Sequence, residues 1–94
     1  MTGSRPARYR VELAPAAQRQ LRRLPPGDAA VLRGPILALA WDPRPPGSAK
    51  LAGSDLHRLR VGNTRVVYAI DDAERLVVIL RVARRSESTY RRVG

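Results

Sequence analysis

Leu56-His57-Arg58-Leu59-Arg60-Val61-Gly62-Asn63-Thr64-Arg65-Val66-Val67-Tyr68-Ala69-Ile70 decides how this 94-residue chain folds. Two runs rich in Val and Leu flank Gly62-Asn63, a dipeptide that accepts the positive φ of a tight turn, so the stretch reads as a β-hairpin. With those two residues as the loop, Val61 stands opposite Thr64, Arg60 opposite Arg65, Leu59 opposite Val66 and Arg58 opposite Val67. Side chains alternate across a strand. Arg58, Arg60 and Arg65 therefore share one face, and Leu59, Val61 and Val66 the other. Like charges directly opposed on a sheet repel. Arg60 facing Arg65 thus points to an anion held between them; a solvated face of arginines is the alternative.

The remaining chain supplies partners for this hairpin. Tyr9 to Leu13 alternates apolar and polar residues and reads as a first strand. Pro15 suits the first turn of a helix, and Ala17, Leu21 and Leu24 recur at helical spacing up to the stop at Pro25-Pro26-Gly27. Asp28 is the expected N-cap of a second helix with Val31, Leu32, Ile36, Leu39 and Ala40 as its stripe. Pro35 predicts a kink there or a fresh start. A loop, Asp42 to Gly47, leads to Lys50-Leu51-Ala52-Gly53 and the hairpin. After a turn at Asp71 to Glu74, Arg75 to Ala83 is the most apolar run and reads as a strand covered on both faces. The expected fold is α+β. Two helices in the N-terminal half pack on one face of an antiparallel sheet of about four strands, and the arginines occupy the other. Residues 1–8 are expected to be a disordered tail, and 9–94 a single domain.

Composition narrows the function classes. The net charge is +10, with 18 Lys and Arg against 8 Asp and Glu, and Lys50 is the sole lysine. Such an excess favours a polyanionic partner. There is no cysteine, which excludes disulfides and thiolate metal sites. His57 is the only histidine, which excludes a multi-histidine metal centre. No apolar run approaches membrane-spanning length, and the first residues lack the apolar core of a signal peptide. A cytoplasmic protein without membrane, metal or cofactor is the expectation.

In order and in residues the chain resembles the RelE/ParE superfamily of bacterial toxin–antitoxin toxins, and its RelE branch in particular. The pieces that carry the resemblance are L-H-R-L-R-V-G-N-T-R-V-V-Y-A-I-D-D, the following V-V-I-L-R-V-A-R-R-S-E-S-T-Y, and Asp42-Pro43 with Lys50-Leu51 and Gly53 after it. The resemblance implies a microbial-RNase-like fold. It implies an endoribonuclease that cuts mRNA in the ribosomal A site without metal, the RNA's own 2′-hydroxyl attacking the adjacent phosphate. It also implies a cognate antitoxin, with the ribosome and its mRNA as the other partners.

By position, Arg65 matches the family's phosphate-binding arginine, Arg85 the arginine assigned to the leaving oxygen, and Tyr90 the C-terminal tyrosine that stacks on a base or orients the 2′-hydroxyl. Arg58 and Arg60 fall where the RelE branch often has lysines. An arginine side chain keeps its proton and essentially cannot serve as a base, so these two are assigned to electrostatic stabilisation. Lys50 joins them as a phosphate contact, a loop lysine without further role being the other reading. His57 has a pKa suited to acid–base work, but it shares parity with Leu59 and Val61, which argues for packing. Two other functions compete: a ParE-type inhibitor of DNA gyrase on the same fold, and a non-catalytic basic module that binds nucleic acid or ribosome through charge.

Overall fold

The computed structural model describes residues 8–84. Seven elements follow in chain order: β1 (Arg10–Leu13), α1 (Pro15–Arg23), α2 (Pro26–Ala38), β2 (Ser48–Lys50), β3 (Leu56–Val61), β4 (Thr64–Asp71) and β5 (Leu76–Arg84). The strands form one sheet in the order β1-β5-β4-β3-β2.

The hairpin has the register that alternation dictates, with Arg60 opposite Arg65, Leu59 opposite Val66 and Arg58 opposite Val67. Gly62 takes φ +58°, and Asn63 is not in the positive-φ region. A glycine at the first of two loop positions makes a turn whose twist suits the strands it joins. β4 then pairs antiparallel with β5 to complete the meander.

The sheet departs from the antiparallel, roughly four-stranded expectation in two ways. It has five strands, because Ser48–Lys50 adds a short edge strand to β3. It is also mixed, since β1 lies parallel to β5 with Arg10 opposite Leu76 and Leu13 opposite Ile79. Residue alternation reports that a segment is a strand but not its direction. Here β1 is joined to the meander through two helices, and such a long crossover is what parallel pairing requires.

Both helices pack apolar residues on one face of the sheet, but Val31, expected in the buried stripe of α2, and Leu37 are exposed. Ala17 of α1 and Leu32 and Ile36 of α2 pack with Leu59, Val66, Tyr68, Val77, Ile79 and Val82 in one core, which Leu21 and Leu24 flank. Each Val, Leu or Ile so buried is worth ~1.5–3 kcal/mol. α2 starts at Pro26, with Pro25 rather than Asp28 at the N-cap. Pro26 is pre-set for the first helical position, so the helix begins early and places Asp28 inside its first turn. It also runs through Pro35 to Ala38 without a break. β5 is not covered on both faces: Val77 and Ile79 are buried, Val78 and Leu80 are half-buried, and Arg81 is exposed. Among the described residues no helix is long and apolar enough to cross a membrane.

Candidate functional site

The open face of the sheet carries a cleft of about 600 Å³ between the β3–β4 hairpin and the end of β5. Two kinds of side chain line it. Leu51, Leu56, Val67 and Leu80 make an aliphatic floor, and four arginines border it: Arg60, Arg65 and Arg81 from the open face, and Arg84, which has the parity of buried Val82 and turns its guanidinium to the helix side. Among the described residues no Asp or Glu lines the cleft. Among the described residues only Arg84 of the four has an acidic partner, its Nη1 lying 3.4 Å from Oδ2 of Asp28. The other described ion pairs, Arg10–Glu12, Arg44–Asp72 and Lys50–Asp55, involve none of these arginines.

Each arginine is placed by strand geometry. Arg60 and Arg65 are fixed opposite each other by the two-residue turn. Arg65 is in turn opposite Ala83 of β5, a small residue that leaves the space above it open. Arg81 arrives by a different route. Val66 pairs with Val82 and Val67 with Arg81, but Tyr68 pairs with Ile79, so Leu80 is an extra residue in β5. This bulge reverses the alternation. Before it, odd-numbered Val77 and Ile79 are buried; after it, even-numbered Val82 is buried and Arg81 and Ala83 face outward. Without the extra residue Arg81 would share the parity of Val77 and Ile79 and face the core, where an unpaired charge is expensive.

The bulge is supported from the helix layer. β1 ends at Leu13, opposite Ile79, and beyond the Ala14 N–H bond to the Ile79 carbonyl no strand among the described residues lies beside the edge of β5. Gln20 of α1 fills that place: its side-chain Oε1 accepts a hydrogen bond from the Val82 N–H at 2.7 Å.

Arg60 and Arg65 therefore both reach the cleft, as alternation implies, while Arg58 lies on the same face opposite Val67 without lining it. Lys50 is not brought there. It pairs in register with His57, which puts it on the other face of the sheet, and its Nζ lies 3.9 Å from Asp55. Arg85 and Tyr90 lie outside the described residues. His57 keeps to the side of Leu59, half-buried, its ring stacked on Tyr68 with centroids 5.7 Å apart. Burial, and then the nearby charges of Arg44 and Lys50, hold its pKa below the ordinary histidine value. Tyr68 is itself anchored, its hydroxyl donating to the Pro43 carbonyl at 2.8 Å. Arg81 escaped the sequence reading. Its one signal was that it is the only charge inside the apolar run Leu76 to Ala83.

Chemically, paired guanidiniums over an open floor suit a phosphodiester. A planar fork matches two phosphate oxygens, and fixed cations stabilise the extra negative charge of a pentacoordinate transition state. Among the described residues the cleft is lined by no histidine, lysine or carboxylate that could take up a proton.

Comparison with known proteins places this arrangement. The sequence profile of the ParE toxin of the type II toxin–antitoxin system parDE matches residues 11–89. Toxin RelE of Mycobacterium tuberculosis is 42% identical over 84 residues, covering 85% of this chain and 84% of its own. Putative toxin RelE1 of Methanocaldococcus jannaschii is 30% identical over 88 residues, 89% of this chain and 97% of its own. In structure, the chain resembles the RelBE2 toxin–antitoxin complex of M. tuberculosis with a TM-score of 0.75 at 32% identity, over 82% of this chain and 98% of that one. The archaeal RelE–RelB complex of Pyrococcus horikoshii gives 0.75 at 27% identity, over 85% and 98%. With the profile spanning most of its length and a RelE toxin at 42% identity, the chain belongs to the RelE/ParE superfamily of type II toxin–antitoxin toxins.

Proposed function

We propose that the protein is a ribosome-dependent endoribonuclease that cleaves mRNA in the A site and so arrests translation. The observation that carries this reading is the opposed pair Arg60 and Arg65 on the open face, with no described carboxylate between them. Holding two like charges together without compensation is unfavourable in the free protein and becomes favourable when a phosphate enters.

In this reading the scissile phosphate sits between Arg60 and Arg65. The 2′-hydroxyl oxygen attacks phosphorus as its proton leaves, the bond to the 5′-oxygen breaks, and that oxygen takes up a proton. The products are a 2′,3′-cyclic phosphate and a 5′-hydroxyl end. Arg65 clamps the phosphate, Arg60 and Arg58 add positive charge, Arg85 stabilises the leaving oxygen and Tyr90 orients the nucleotide. The arginines contribute electrostatics rather than proton abstraction. His57 is on the wrong face to assist.

A cognate antitoxin completes the system. Two of the similar structures are complexes with a RelB partner, and a chain with this excess of arginine suits an acidic segment that folds against the cleft. Action on ribosomes places the protein in the cytoplasm.

One observation favours a second reading: the matching profile is that of ParE, which suggests inhibition of DNA gyrase. Parallel assays decide. The purified protein is added to ribosomes programmed with a defined mRNA and, separately, to gyrase supercoiling relaxed plasmid. The nuclease reading expects a cut within the A-site codon, a cyclic phosphate on the upstream fragment and unaffected supercoiling. Blocked supercoiling with intact mRNA overturns it in favour of the gyrase inhibitor.

A further inference from the structure

We infer that Arg81, carried to the cleft by the β5 bulge, holds the phosphate next to the one being cleaved. This rests on the nuclease reading and extends its substrate footprint from one phosphate to two.

Two cross-strand rows lie side by side on the open face. One is Arg60–Arg65–Ala83, and the next is Arg58–Val67–Arg81. They are two residues apart along the strands, ~7 Å from one to the other. The step from one phosphate to the next along an extended RNA strand is of similar size. A strand laid along β4 with one phosphate at Arg65 thus brings its neighbour to the Arg81 row. Val67 stands in the second row, and Leu56 and Leu80 continue an aliphatic floor beyond it, a surface for the sugar or base that demands no hydrogen bond.

Arg81 is otherwise hard to explain. It is exposed and has no acidic partner among the described residues, yet β5 departs from regular pairing at the one place that turns it outward. A regular strand with Arg81 facing the core would not fold well. A regular strand with an aliphatic residue at 81 would need no bulge at all. The bulge and the arginine belong together, and the cleft is what they supply.

The test is an interaction cycle between Arg81 and single phosphates of the mRNA. Three mRNAs are cut on programmed ribosomes: an all-phosphate strand, and two with one neutral methylphosphonate, immediately upstream or downstream of the scissile phosphate. Wild type, Arg81→Gln and Arg81→Lys are compared by kcat/KM. Loss of a charged hydrogen bond of this kind is worth roughly tenfold. Wild type should lose that factor on one of the two substituted strands. Arg81→Gln should already have lost it on the all-phosphate strand and lose nothing more, with Arg81→Lys in between. A methylphosphonate penalty that persists undiminished in Arg81→Gln overturns the assignment, as does an Arg81→Gln enzyme equal to wild type on every strand. Wild type that cuts no strand overturns the nuclease reading itself, and this proposal with it. An Arg81→Gln protein slowed equally on all three strands, with the wild-type penalty retained, reveals a structural role and also overturns it.

Discussion

Arg60 and Arg65 stand directly opposite each other across the β3–β4 hairpin, two exposed guanidiniums with no acidic partner among the described residues. Strand pairing forces this encounter: a two-residue turn with Gly62 at φ +58° admits only one register. The pair is a local cost that the aliphatic core on the other face outweighs.

Removing one member should therefore stabilise the free protein. Arg60→Gln is expected to gain about 0.5 kcal/mol by relief of cross-strand repulsion, seen as a higher midpoint in urea at low salt. Added salt should narrow the gap between variant and wild type, because exposed charges are screened. A variant less stable than wild type at low salt would show that the two guanidiniums are already compensated.

Gln20 offers a second check, directed at the bulge. Its side-chain oxygen is the acceptor for the Val82 N–H just beyond the extra residue. Gln20→Ala leaves that donor without its partner and should cost ~1–3 kcal/mol, whereas Gln20→Glu keeps an acceptor and should stay near wild type. Equal stability of all three in a denaturant titration would mean that β5 is held without this contact.

Stability should also depend on pH through His57. Its pKa in the folded protein is lowered, first by burial and then by Arg44 and Lys50. The unfolded chain therefore binds the proton more readily than the folded one. Folding is unpenalised above the unfolded value of ~6.5 and loses stability as pH falls from there towards the folded value. Between pH 7 and pH 5 wild type should weaken more than His57→Phe, which keeps the ring on Tyr68 without a titrating group. Parallel slopes for the two proteins would contradict this.

How far the sequence could be read follows from which interactions are local. The hairpin register was legible from Gly62-Asn63 and the alternation around it, because a turn and its two strands are decided by near neighbours. The same alternation correctly put Arg60 and Arg65 on one face and His57 on the other. Arg81 was not legible, because its outward direction depends on Leu80 being skipped in pairing with β4. Gln20 acts on a residue 62 positions away, and no periodicity reports such a contact. Asp28 looked like an N-cap by residue type, but Pro26 sets the helix start before it, and Asp28 instead meets Arg84. The parallel placement of β1 came from the crossover of two helices, which strand pattern does not encode. Lys50 was drawn towards the arginines by charge alone, and its pairing with His57 turns it away.

The measurement that bears most directly on the cleft as a phosphate clamp is single-turnover mRNA cleavage on programmed ribosomes by Arg65→Gln beside wild type. Removing one fixed charge from the transition state should slow the cut by ~10²–10³-fold, while the folded protein remains at least as stable as wild type. Cleavage by Arg65→Gln at the wild-type rate would contradict the account.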